Sequence, residues 1–295
     1  MIQTLLLVVA VVLIALAAAL AILVFAATRR FKGQYLDADG VRIHYRVEGR
    51  GAPVVLVHGY GAQADVNWRL PGVIRSLRKK YQVISFDVRG HGLSGKPPEP
   101  AKYGVETARD IIRLLDHLGL ERAHVVGYSM GGFITLKLVT MYPDRLLSAA
   151  PCGAGWENPD GNNLQLLASL TESLERGEGY GPLIRALEPG RKEPAAWKAK
   201  LINFLMGTFN DNQAMTCIMK RFPDLSVTEE ELRANRVPVL SIVGTKDPLR
   251  AGADAMVGVM GNHRAVFVKG GDHFTTIFRK EFLANLHEFL AQATA

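Results

Sequence analysis

Val125-Val126-Gly127-Tyr128-Ser129-Met130-Gly131-Gly132 is the stretch that decides the fold. His124 to Val126 reads as a buried strand and Phe133 to Tyr142 as a helix, with Gly-x-Ser-x-Gly between them. A strand that becomes a helix within about two residues needs positions without a Cβ, for unusual φ/ψ and for close packing. The serine at the apex is then held with its hydroxyl above the sheet edge, the geometry of a nucleophile elbow. A glycine-rich strand-to-helix turn with an incidental serine has the same five letters, so the surrounding chain has to discriminate.

Outward from the elbow the pattern alternates. Gly33 to Glu48 varies polar with apolar residues about Asp39-Gly40, which predicts a hairpin of Gln34–Ala38 and Val41–Val47. Val54 to Val57 and Val83 to Phe86 are short continuous apolar runs, suited to strands buried on both faces. Helical spacing covers Asn67 to Tyr81, and again Val105 to Leu118, where Gly119 stops it. After the elbow helix comes a strand at Leu146 to Ala150. The rhythm resumes with a strand at Val237–Val243, a helix at Ala253–Met260, a strand at Arg264–Val268 and a closing helix at Phe278–Ala293. In that last helix Phe282, Leu283, Leu286, Phe289 and Leu290 form the apolar stripe.

Strands alternating with helices predict an α/β fold: a mostly parallel sheet with helices on both faces. Between residues 153 and 236 the alternation breaks. That span has no convincing strand and four helical stretches, Leu164–Arg176, Tyr180–Leu187, Ala195–Phe209 and Gln213–Phe222, and reads as an insertion at the C-terminal edge of the sheet. The expected organisation is a segment 1–32, a core of 33–152 and 237–295, and the helical insertion 153–236.

The chain has 295 residues, a net charge of +7 and two cysteines. Its Lys and Arg are scattered in ones and twos, with no basic stripe interleaved with aromatics, so a nucleic-acid partner is not expected. Cys152 and Cys217 stand in no CxxC or Cys/His cluster, which argues against a disulfide framework or a zinc site. Leu5 to Ala27 is uncharged and apolar throughout. At about 1.5 Å per residue it reaches about 35 Å, enough for a hydrocarbon core of about 30 Å. We expect a single-pass N-terminal transmembrane helix. A cleaved signal peptide is the competing reading, for Val24-Phe25-Ala26 has the spacing of a cleavage site, but the n-region carries no Lys or Arg. Arg29, Arg30 and Lys32 follow the run, which favours a cytoplasmic catalytic domain; cleavage would place it in the periplasm or outside the cell.

A serine hydroxyl attacks only when a base accepts its proton, and that base needs an orienting acid. In a strand–elbow–helix scaffold the order is Ser, then Asp or Glu, then His, on loops after later strands. Of the eight histidines, His263 precedes a strand on the wrong sheet edge and His287 sits mid-helix at its surface. His273, in Gly270-Gly271-Asp272-His273-Phe274 after a strand, has the address of the base. Asp247, in Gly244-Thr245-Lys246-Asp247-Pro248, is the expected acid, with Glu157, Asp160 and Asp272 as rivals and a turn-forming aspartate as the plain alternative. The oxyanion of a tetrahedral intermediate needs amide donors, for which the N–H groups of Met130 and Tyr60 are the candidates. His58 reads as structural.

These residues together resemble the α/β-hydrolase fold superfamily: the His58-Gly59 turn, the segment Asp87–Ser94, the elbow Gly127–Gly131, Asp247, and Gly271-Asp272-His273. The resemblance spans Gln34 to Ala295. It implies that Asp87, Arg89 and Gly90 brace a loop near the site and that residues 153–236 form a cap over it. Serine at 129 departs from the dehalogenase and epoxide-hydrolase branches, which carry aspartate there. The resemblance therefore points to the esterase, lipase, C–C hydrolase and perhydrolase side, with Ser129, Asp247 and His273 catalytic, an ester as small-molecule substrate, and no cofactor or metal required. Trp156, Leu167, Leu170, Trp197, Phe204, Met206, Met215 and Met219 suggest an apolar substrate group, or equally the cap's own core. A membrane-tethered binding protein without activity is the alternative from another class.

Overall fold

Short apolar runs and turn dipeptides become strands β1 (Gln34–Asp37), β2 (Arg42–Glu48), β3 (Pro53–Val57), β4 (Gln82–Phe86), β5 (Ala123–Tyr128), β6 (Leu146–Cys152), β7 (Val239–Gly244) and β8 (His263–Val268). They form one sheet in the order β1-β2-β4-β3-β5-β6-β7-β8 in the computed structural model, which describes residues 33–156, 163–187, 203–204 and 206–293. β1 and β2 pair antiparallel, with Tyr35 opposite His44, and β2 runs antiparallel to β4. Every later pairing is parallel, as in Val55 beside both Ile84 and Val125. The predicted hairpin is present, turned by Asp39 and Gly40, both at positive φ.

Between the strands run helices α1 (Val73–Leu77), α2 (Val105–His117), α3 (Met130–Met141), α4 (Asn163–Glu175), α5 (Gly181–Leu187), α6 (Asn212–Arg221), α7 (Glu229–Arg233), α8 (Arg250–Met256) and α9 (Lys280–Gln292). Successive strand residues point to opposite faces, and the core divides accordingly. Val54, Leu56, Val126 and Ile242 pack with α1 and α9, through Ile74, Leu77, Phe282 and Leu286. Val55, Val57, Val125 and Ala149 face α2 and α3, through Ile111, Leu115, Ile134 and Leu138. Each such fully buried aliphatic side chain contributes about 1.5–3 kcal/mol relative to exposure. From the segment expected as a cap, Leu170, Ile184, Met215, Ile218 and Leu232 belong to the second of these clusters, so that segment and the core share one hydrophobic interior. Residues 34–295 make one compact unit.

Several boundaries differ from expectation. The single helix over 67–81 is two pieces: a π-helical turn at Asp65–Arg69 and then α1. Pro71 has no N–H to continue the ladder, and Gly72 turns to φ +83°. The helix expected at 253–260 starts at Arg250 and ends at Met256, because Val257 is extended and Gly258 left-handed. The closing helix begins at Lys280, after a 3₁₀ turn at Thr276–Phe278. In its stripe Leu283 is half-buried while the other four are buried. The expected membrane helix Leu5–Ala27, the segment 1–32 around it and most of the helix at 195–209 lie outside the described residues, as do Trp197, Glu157 and Asp160. Among the described residues no helix is long and apolar enough to cross a membrane.

Candidate active site

In a parallel sheet, the loops after the strands gather at one edge. Here they are His58–Gly61 after β3, Asp87–Ser94 after β4, Ser129 after β5, Asp247 after β7 and His273 after β8. The turn at Ser129 is sharp. A Cβ on Gly127 would overlap the carbonyl of Gly131, and one on Gly131 would overlap the Val57 carbonyl, so strand, helix and β3 approach this closely only through glycine. Ser129 itself sits at φ 56°, ψ −121°, a strained conformation for a residue with a side chain.

Three residues far apart in sequence meet above that turn. Ser129 Oγ lies 2.9 Å from His273 Nε2. His273 Nδ1 lies 2.9 Å from Asp247 Oδ2 and 3.1 Å from Oδ1. Asp247 and His273 are both buried. The carboxylate accepts the Nδ1 proton, which leaves Nε2 free to accept the serine proton. Further bonds hold the partners: the Leu249 amide donates to Asp247 Oδ1 at 3.0 Å, and the Tyr128 phenol donates to the His273 carbonyl at 2.6 Å. Asp272 faces elsewhere. It accepts from the amides of Phe274 and Thr275 and so builds the turn that presents His273.

The Tyr60 and Met130 amides meet no acceptor among the described residues, and the loop around them is heavily restrained. Gly59 N–H donates to Asn67 Oδ1 (3.0 Å), Gly61 N–H to His91 Nε2 (3.0 Å), and Asn210 Nδ2 to the Gly61 carbonyl (3.0 Å). The Tyr60 phenol donates to the Met215 carbonyl at 3.1 Å. Gly59 lies against the Ser129 Cβ, which sets this loop beside the serine.

His58 is structural: its Nε2 accepts from the Val88 amide and its Nδ1 donates to the Gly59 carbonyl. Burial keeps its pKa low. Burial, together with the neighbouring His58, takes His91 down to about 3. Burial pushes the Asp87 carboxyl up, but His44, His58 and the amides of Leu93 and Ala64 outweigh it and bring Asp87 down to about 2. Arg89, fully buried, forms a two-pronged ion pair with Asp110. These contacts brace the loop 87–94 as the resemblance implied.

Of the other histidines, His263 is the first residue of β8 and bonds Ser241 Oγ at the opposite sheet edge. His287 is not a free surface residue: it is half-buried and bonds Ser76 Oγ at 2.7 Å. Sequence reasoning missed His91, Asn210, Asn67 and the Tyr128 phenol. Only Tyr128 carried a signal, as a polar aromatic adjoining the nucleophile.

A cavity of about 260 Å³ is lined by Ser129, Met130 and Tyr60 together with residues of α3, α4, α5 and α6. It brings together Trp156, Leu167, Leu170 and Met219 of the expected apolar set. Of the rest, Trp197 is outside the described residues, Met215 is buried in the core, Phe204 is 67% exposed, and Met206 packs against Gly61.

A family model of the alpha/beta hydrolase fold matches residues 52–174. RutD of Azorhizobium caulinodans, named for carbamate hydrolysis, is 32% identical over 220 residues, 72% of this chain and 79% of that protein. The 2-hydroxymuconate semialdehyde hydrolase of Pseudomonas sp. strain CF600 is 34% identical over 154 residues, 51% of this chain and 50% of that protein. The chain spans half or less of the length of several curated relatives it matches. Among solved structures, the enol-lactonase from Burkholderia xenovorans LB400 superposes with a TM-score of 0.69 at 23% identity, covering 88% of this chain and 100% of that one.

Proposed function

Since this chain belongs to the α/β-hydrolase superfamily, we propose that it is a serine hydrolase that cleaves carboxylic esters or thioesters of apolar acyl groups through an acyl-enzyme. The observation that carries this reading is the relay from Ser129 Oγ to His273 Nε2 and from Nδ1 to the Asp247 carboxylate, each step within hydrogen-bond reach. As the Ser129 Oγ–carbon bond forms, the hydroxyl proton passes to His273 Nε2. The Tyr60 and Met130 amides hold the oxyanion. The intermediate collapses, the bond to the leaving oxygen or sulfur breaks, and that atom takes the proton from Nε2. Water then attacks the acyl carbon, giving one proton to His273 Nε2; the bond from that carbon to Ser129 Oγ breaks, Oγ takes the proton back, and the carboxylic acid leaves.

The uncharged run Leu5–Ala27 supports a membrane tether, and Arg29, Arg30 and Lys32 favour the cytoplasmic side. A C–C hydrolase would use the same three residues, and the likeness to the 2-hydroxymuconate semialdehyde hydrolase supports that second reading. Fluorophosphonate labelling tests the first. Wild type should label at Ser129, and Ser129→Ala should lose both the label and about 10⁴-fold or more in kcat on p-nitrophenyl esters. Absence of label and of ester turnover in wild type overturns it.

A further inference from the structure

The cavity at Ser129 differs from a generic cleft in three respects: what its wall is made of, which catalytic residues it touches, and how large it is. Its wall is carbon. Leu166, Leu170, Leu183, Phe133, Met219 and Phe222 supply most of it, and no charged side chain stands in it among the described residues. Two of its polar side chains have their donors turned to backbone: the Tyr60 phenol to the Met215 carbonyl, and the Trp156 indole N–H to the Val227 carbonyl at 3.0 Å. The wall includes Ser129 with Tyr60 and Met130, the residues of the proposed oxyanion amides, but not His273. His273 stands outside this lining, 2.9 Å from Ser129 Oγ, and Phe274 beside it is 52% exposed.

Resting on the serine-hydrolase reading above, we propose that this cavity holds the acyl half of the substrate, a neutral hydrocarbon chain or ring of about ten carbons, while the leaving group lies outside it on the His273 side.

The leaving oxygen has to meet His273 Nε2 to take its proton, so the leaving group extends toward His273 and the acyl chain extends the opposite way, into the cavity. For the length, an apolar protein cavity of about 150 Å³ accommodates benzene, six carbons. At the same density, 260 Å³ takes about ten. For the charge, an acyl group ending in a carboxylate would be stripped of water against a wall with no counter-ion among the described residues, which penalises it heavily. The site therefore selects on the acyl side and is indifferent on the alcohol side.

The test uses the full chain and two ester series. With p-nitrophenyl esters from acetate to palmitate, kcat/KM should rise by about tenfold or more from acetyl to octanoyl or decanoyl and fall by about tenfold by palmitoyl. With octanoyl held fixed, lengthening the alcohol from methyl to octyl should change kcat/KM by less than about threefold. A carboxylate at the end of the acyl chain should lower kcat/KM by about a hundredfold against the neutral ester of equal length. Leu167→Trp should move the acyl optimum to shorter chains, and Leu183→Trp on α5 probes the same wall should the first variant not fold. An optimum at acetyl, a preference governed by the alcohol, or an optimum unmoved by both variants overturns the proposal while Ser129 still labels. Loss of labelling and of all ester turnover overturns the serine-hydrolase reading, and this proposal with it.

Discussion

At the scale of single residues, Asp247 carries the sharpest test of the relay. Its carboxylate meets both the His273 Nδ1 proton and the Leu249 amide, while neighbouring Asp272 is committed to the turn at Phe274 and Thr275. Asp247→Asn should lower kcat by about 10⁴-fold by favouring the wrong imidazole tautomer, with KM little changed. Asp272→Ala should leave kcat within about tenfold, and steady-state kinetics on one ester distinguishes the two. A larger loss at Asp272 than at Asp247 would reverse the assignment. Ser129, Asp247 and His273 were readable in sequence because each follows a strand in a fixed chain order. Of the Tyr128 phenol, which fixes the His273 carbonyl, only its place beside the nucleophile was legible; its partner, 145 residues away, was not.

At the scale of elements, the cap is joined to the catalytic edge through hydrogen bonds as well as packing. Asn210, just before α6, donates to the Gly61 carbonyl, and Tyr60 reaches the Met215 carbonyl inside α6. With His91 on the Gly61 amide, these contacts fix both peptide planes of Gly61, and His58 Nδ1 on the Gly59 carbonyl fixes the plane that carries the Tyr60 amide. Asn210→Ala should therefore reduce kcat by about tenfold while KM stays within about threefold, because an oxyanion donor acts in the transition state. A change confined to KM would show that Asn210 serves only the cap. Strands β3 to β8 were legible as apolar runs bounded by turn residues. The break at Pro71 overrode an apparently continuous periodicity, and Asn210 gave no pattern at all: a single polar residue among helical spacings has no period to read.

At the scale of the whole molecule, buried neutral histidines set the response to acid. Burial lowers His58, takes His124 to about 4, and together with the neighbouring His58 takes His91 to about 3. In the unfolded chain each takes a proton near pH 6.5, whereas in the fold it stays neutral. Stability is thus complete above about pH 6.5 and is lost as pH falls toward about 3 for His91 and about 4 for His124, with up to about 1.4 kcal/mol per pH unit from each of these two, and His58 acts in the same direction. Asp87, at about 2, adds its loss only below about pH 4. Urea unfolding between about pH 7 and pH 4 checks this: His91→Gln should flatten the slope by about one proton, and an unchanged slope would refute it.

One contact in the cavity wall also bears on how the molecule moves. Trp156 lies where the chain leaves β6 for the cap, and its indole bonds the carbonyl of Val227, close to where the chain returns. The Trp156 amide donates to Gly252 in α8. The outgoing and returning strands of the insertion are thus riveted to each other and to the core at a common root. Swinging the insertion open as one rigid door would break the bond that ties its root to α8.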